Sequence, residues 1–114
     1  MPSDAADRQS PVRIALTNVG SVEEGRRLAR TLVERRLAAC VNLIPNLVSI
    51  YRWQGAVEEA AEVLLVMKTT AETLPALEAA IRELHLYEVP EFVVLDVESA
   101  SQPYLDWLVG SVGE

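Results

Sequence analysis

Two strand-like stretches in the middle of this 114-residue chain are each about twice as long as those near its ends, which restricts the fold more than any other feature. Ala39 to Gln54 reads as the first, interrupted by Pro45-Asn46. Proline cannot donate to a strand ladder, so the interruption predicts a bulge or an edge segment. Beyond it Ser49, Tyr51 and Trp53 fall on one face, and Val48, Ile50 and Arg52 on the other. Gln54-Gly55 predicts a tight turn. Val57 to Thr69 returns as the second long strand, its Val63 to Met67 run having the composition of a strand buried on both faces. A hairpin longer than its neighbours overhangs the sheet and exposes apolar edges, which aggregate unless covered or paired. A second copy of the chain is the simplest cover, so the strand lengths alone predict a homo-oligomer.

The flanking elements complete the pattern. Met1 to Pro11 holds little that could pack and reads as a loose tail before a single domain, residues 12–114. Val12 to Asn18 alternates as a half-buried strand. Ser21 and Glu24 have the spacing of a capping box, opening a helix to about Leu37 with Leu28, Ala29, Leu32 and Val33 as its apolar stripe. A second helix is predicted over Thr70 to Leu84, carried by Leu74, Leu77, Ile81 and Leu84, with Pro75 in its first turn. Phe92 to Val97 reads as a short strand. Ser101 and Pro103 open a short last helix with Tyr104, Trp107 and Leu108 on one face. The order strand, helix, strand, strand, helix, strand is a split βαβ. It predicts an α+β, ferredoxin-like sandwich: an antiparallel sheet, two helices on one face, a long central hairpin and a short C-terminal helix.

Composition excludes several functions. The net charge is −7, so there is no basic excess to release counterions from nucleic acid or to meet anionic lipid. No apolar run approaches the 18 or more residues needed to span a bilayer, and the first eleven residues lack the apolar core of a secretory signal. With one cysteine, Cys40, no intrachain disulfide can form. The cytoplasm is the expected compartment. Gly20, Gly25, Gly55, Gly110 and Gly113 form no phosphate loop or dinucleotide fingerprint, and no organic cofactor is expected. No serine lies in a nucleophile elbow. The single Cys and single His are 45 positions apart with no local catalytic signature, so no enzyme is expected.

Metal chemistry stays open. Cys40 offers a soft thiolate and His85 an imidazole, a pair suited to copper or zinc. One chain lacks the four nitrogen and sulfur ligands of a closed zinc site, so carboxylates such as Glu88 or Glu91, or a neighbouring subunit, would complete the set. Cys40 also reads as a small buried hydrophobe, and His85 as a helix C-terminal residue. Glu58, Glu59 and Glu62 read as a solvated acidic face, with weak cation binding as the alternative. Tyr51, Trp53, Tyr87, Tyr104 and Trp107 each carry a polar handle, as aromatic residues at clefts and interfaces do.

The segments Ala38-Ala39-Cys40-Val41-Asn42, Ser49 to Gly55, Glu62 to Thr69, His85 with Tyr87-Glu88-Val89-Pro90-Glu91, and Tyr104-Leu105-Asp106-Trp107 together resemble the CutA family of divalent cation tolerance proteins. The match runs in order from Val12 to about Val109. The resemblance implies a ferredoxin-like fold in a tight homotrimer with long hairpins exchanged between subunits. It also implies tolerance to copper and other divalent metal ions, and a shape similar to the PII signalling proteins. On it, Cys40, His85 and Glu91 become metal ligands, with Cu(II) or another divalent cation bound across subunits. Alternatively the chain is a PII-like regulatory module, and Tyr51, Trp53, Lys68, Tyr87 and Trp107 line clefts between subunits that bind a small molecule or partner protein. One departure is Leu86, where the family usually has proline; its loss frees the backbone at His85.

Overall fold

The computed structural model describes residues 10–113. Seven elements follow one another: β1 (Val12–Val19), α1 (Val22–Glu34), β2 (Cys40–Trp53), β3 (Ala56–Thr70), α2 (Leu74–Leu84), β4 (Val93–Asp96) and α3 (Gln102–Ser111). The strands form one antiparallel sheet in the order β2-β3-β1-β4. Leu28 and Leu32 of α1 and Leu77 and Ile81 of α2 share one core with Ala15, Val19, Leu65 and Met67. Both helices therefore cover the same face of the sheet, as the α+β split βαβ reading expects. α3 builds a smaller cluster with Leu108 and Val112 against Val12 and Ala39. Among the described residues no helix is long and apolar enough to cross a membrane.

The hairpin is as long as its pattern implies. β1 pairs with β3 only along Val63–Thr70, so Ala56 to Glu62 has β2 alone beside it. Seven residues at ~3.3 Å each make an overhang of roughly 23 Å. The radius of gyration is 15.6 Å, against about 13 Å for a compact chain of this length. Pro45 and Asn46 form the predicted bulge: pairing jumps from Ile44↔Leu64 to Leu47↔Glu62, and Asn46 takes φ 68°. At the tip Gln54 (φ 50°) and Gly55 (φ 85°) both sit in the left-handed region, as a two-residue type I′ turn requires. Val48, Ile50 and Val57 on the overhang are each 67% exposed.

Several boundaries differ from the sequence reading, each for a local reason. α1 stops at Glu34 rather than near Leu37 because Arg36 turns left-handed (φ 60°) and leaves the helix. Its carbonyl accepts from the Gly113 N–H, and its guanidinium donates to the Gly113 and Gly110 carbonyls at 2.6 and 2.8 Å. Val33, expected in the apolar stripe, is exposed at that helix end. α2 begins at Leu74 instead of Thr70, because Thr70 still pairs with Val12 and its hydroxyl closes a turn on Thr73 at 2.8 Å. β4 is shorter than Phe92–Val97, since Phe92 packs against the main core. Within Val63–Met67, Val63, Leu65 and Met67 are buried while Leu64 and Val66 are half-buried, so one face of β3 is fully covered. Of the expected tail, residues 1–9 lie outside the described residues. Ser10 is buried, its hydroxyl accepting from the Val12 N–H, and the Pro11 carbonyl accepts from Ala71.

One close approach positions the site described next. A Cβ on Gly25 would lie 3.0 Å from Leu43 Cδ2 and 3.3 Å from Leu65 Cδ1. Glycine thus lets the start of α1, with Glu24, settle directly onto the sheet.

Candidate functional site

The apolar stripe of β1 runs Val12, Ile14, Leu16 and then meets Asn18, a polar residue where the pleat calls for an apolar one. Asn18 proves to be a hub. Its carbonyl accepts from His85 Nε2 at 2.7 Å, and its Nδ2 donates to Glu91 Oε1 at 3.0 Å. Its Oδ1 is buried with no hydrogen-bond partner among the described residues. The break in the stripe was the sequence signal for Asn18, and pattern reasoning passed over it.

His85 caps α2, its backbone N–H donating to Ile81. The ring is buried, and Nδ1 accepts from the Tyr87 N–H at 3.1 Å. The ring proton therefore sits on Nε2 and is given to Asn18. Both nitrogens are occupied, so a metal would have to displace one of these bonds. The backbone of His85 is extended (φ −74°, ψ 143°) despite the loss of the proline that would have enforced it. The ring's two hydrogen bonds and its tilted contact with the Tyr87 ring (centroids 4.8 Å) hold the loop instead.

Tyr87 reaches across to β3, where its hydroxyl donates to Glu62 Oε2 at 2.7 Å. Glu62 is only 8% exposed, which corrects its reading as part of a solvated acidic face; Glu58 and Glu59, out on the overhang, are exposed. Burial first, then the hydrogen bond to Glu62 and the charges of Glu62 and Glu24, push the Tyr87 hydroxyl far above the ordinary tyrosine range. Glu24 is also buried. Its N–H is capped by Ser21 Oγ at 3.1 Å, as the capping box predicts, but its carboxylate turns to the Gly20 N–H at 3.4 Å. Glu24 Oε2 has no partner among the described residues.

Register places Ser49, Tyr51 and Trp53 on the same face of the hairpin as Glu62, through Leu47↔Glu62, Ser49↔Ala60, Tyr51↔Glu58 and Trp53↔Ala56. These side chains, with Asn18, Tyr87, Glu88 and Glu91, wall an open cleft of about 600 Å³ at the root of the overhang. Of the residues expected to line a cleft between subunits, Tyr51, Trp53 and Tyr87 come together within one chain. Lys68 and Trp107 lie at the other end of the same chain's sheet. Lys68 lies six residues along β3 from Glu62, roughly 20 Å away, with its ammonium 5.8 Å over the Tyr104 ring. Trp107 packs on Tyr104 at 5.4 Å. Cys40 is at that same end, directly opposite Lys68 in the ladder and half-buried, with Sγ 3.9 Å from Asn42 Oδ1. One chain therefore separates Cys40 from His85 and Glu91. No group of three His, Cys, Asp or Glu side chains among the described residues is arranged to hold a metal ion.

Burial, and secondarily the charge on Glu62, raise the Glu91 carboxyl above its usual range. A carboxyl raised in the folded state binds its proton more tightly there than in the unfolded chain. Stability is then lost as pH climbs from the unfolded value, about 4.3, through the folded one. Glu91→Gln keeps the oxygen that accepts from Asn18 and removes the charge. Its melting temperature should exceed the parent's at pH 7 and converge with it below pH 4, as thermal unfolding monitored by circular dichroism will show. Equal melting temperatures at pH 7 would mean that water already relieves this carboxylate.

A split βαβ sandwich with an overhanging hairpin and a phenol–carboxylate cleft at its root defines a narrow class of small α+β proteins. The family model "CutA1 divalent ion tolerance protein" matches residues 13–111. The chain is 49% identical over 100 residues to the "Divalent-cation tolerance protein CutA" of Thermus thermophilus, covering 88% of this chain and 97% of that one. It is 44% identical over 112 residues to human "Protein CutA", covering 94% of this chain but 63% of the human protein's length. The crystal structure of CutA1 from Oryza sativa superposes with a TM-score of 0.89 at 37% identity, covering 94% of this chain and 98% of that one. The chain belongs to the CutA1 divalent ion tolerance family.

Proposed function

We propose that this chain acts in divalent-cation tolerance as a cytoplasmic homotrimer that binds a ligand in the cleft at the root of its hairpin, and that it is a binding module and not an enzyme. One observation carries this reading. The cleft opens on Tyr51 and Trp53, in the part of the hairpin that has no third strand. A two-stranded ribbon is marginal alone in water, and this one exposes Val48, Ile50 and Val57. A neighbouring copy would cover the ribbon and close the cleft. The sheet has two free edges, β2 and β4, and β4 exposes Val93, Val94 and Leu95. Pairing β2 of one copy with β4 of the next is head-to-tail, and such contacts form a ring where the rotation between copies closes. Cys40 and His85, the single thiol and single imidazole, lie at opposite ends of the sheet, which favours binding over nucleophilic catalysis.

The second reading is copper binding. The Cys40 thiol is partly accessible and has only a long contact to Asn42. It would serve a soft cation, with His85 and Glu91 supplied by an adjacent chain. Native mass spectrometry with and without one equivalent of Cu(II) per chain separates these readings. Three-chain particles that take up whole-number copper, lost in Cys40→Ala and His85→Ala, support the metal site. Three-chain particles without copper leave the cleft as the functional site. A single-chain mass overturns both.

A further inference from the structure

We propose that the cleft selects a small organic cation, specifically a protonated amine on an apolar body; this deepens the cleft reading above and rests on it. The walls that one chain supplies carry three carboxylates, Glu62, Glu88 and Glu91, and no lysine, arginine or histidine. An anionic ligand would be repelled by these walls. The rings of Tyr51, Trp53 and Tyr87 line the same cleft. Aromatic faces attract cations, and they also cover the apolar body that such a cation carries. A bare metal ion uses neither property. At about 600 Å³ the space suits a small molecule and far exceeds one ion.

The hydrogen-bonding groups of the wall point the same way. Ionised carboxylates are acceptors only, and Asn18, in the same wall, has an Oδ1 with no donor among the described residues. Buried acceptors are ordinarily paired. The ligand that satisfies this wall brings N–H donors together with positive charge. An ammonium has three donors and no acceptor. A quaternary ammonium has the charge without the donors, and an alcohol a donor without the charge.

The full chain in its assembled state, carrying Trp107→Phe, leaves Trp53 as the sole tryptophan reporter. Phenethylamine is titrated at pH 7 against 2-phenylethanol, phenylacetate and phenethyltrimethylammonium. The amine should shift Trp53 emission saturably, binding at least about tenfold more tightly than the alcohol or the quaternary analogue, with phenylacetate giving no response. Glu91→Gln, which preserves the acceptor to Asn18, should weaken the amine severalfold. Calorimetric titration of the unsubstituted chain with the same four probes gives the result if Trp107→Phe fails to fold. Equal binding of amine and alcohol overturns the charge selection, and equal binding of amine and quaternary analogue overturns the donor requirement. Binding of phenylacetate alone overturns the inference while the cleft reading stands. No response to any probe, nor to a broad metabolite panel, overturns both.

Discussion

Tyr87→Phe is expected to cost roughly 1–3 kcal/mol of folding stability, as much as any single substitution in the cleft, although it removes one oxygen. That oxygen donates at 2.7 Å to Glu62, a carboxylate 8% exposed. Deleting the donor and leaving the acceptor buried incurs the desolvation cost of the acceptor, with no compensating relief. Tyr87 is itself 37% exposed, so water entering beside the phenylalanine sets the lower end of the range. The alkaline limb gives a second signature. The hydroxyl's pKa is raised in the folded state. Above pH 10 the unfolded chain releases this proton while the folded chain keeps it, so the parent's stability falls as pH rises. The variant has no such proton and should lose stability less steeply there. Urea unfolding at pH 7 and at several points above pH 10 measures both effects. A variant as stable as the parent at pH 7, with the same alkaline slope, would show that the Tyr87–Glu62 bond contributes nothing in solution.

The fold was legible because its determinants are periodic and local. Val12, Ile14 and Leu16 alternate and mark β1 as a strand, although it is Ala15, Thr17 and Val19 that are fully buried; Leu77 and Ile81 repeat on one helical face, and Gln54-Gly55 marks the turn. The overhang followed from comparing strand lengths, which needs no tertiary knowledge. What the pattern could not supply was any contact whose two halves are far apart in the chain. Arg36 ends α1 early because it fastens Gly110 and Gly113, and nothing near residue 36 announces that. The site was half legible for the same reason. Tyr51, Trp53 and Tyr87 stood out as aromatics with polar ends, and the cleft contains all three. Glu62 was misread because its sequence neighbours Glu58 and Glu59 are solvated. Only the pairing of β1 with β3, which begins at Val63, marks where the ribbon ends and the covered sheet starts. Lys68 and Trp107 are expected in a cleft between subunits, and within one chain six residues of β3 separate Lys68 from Glu62.

The hairpin itself yields the other large effect. Val48→Glu with Val57→Glu is expected to convert the proposed trimer to single chains. The two valines share one face of the ribbon, since Val48 opposes Ala61 and Val57 opposes Arg52, and neither lines the cleft. In an isolated chain each is 67% exposed, so the substitutions should change its stability by no more than about 0.5 kcal/mol apiece. In an assembly that covers the ribbon, each valine contributes ~1.5–3 kcal/mol of burial at every copy of the interface. The replacement also places an unpaired carboxylate there, at a further cost of several kcal/mol. Because the interface recurs at each subunit boundary, the losses compound around the ring. Sedimentation velocity should show three-chain particles for the parent and single-chain particles for the variant. The variant's circular dichroism should retain the helices and the four-stranded core, because Leu32, Leu65, Met67 and Leu77 are untouched. Trp53 emission should also lose its response to cleft ligands, since the second wall leaves with the neighbour. An intact three-chain variant would mean that this face of the ribbon looks into water and that the assembly is held by β2 and β4 edges alone.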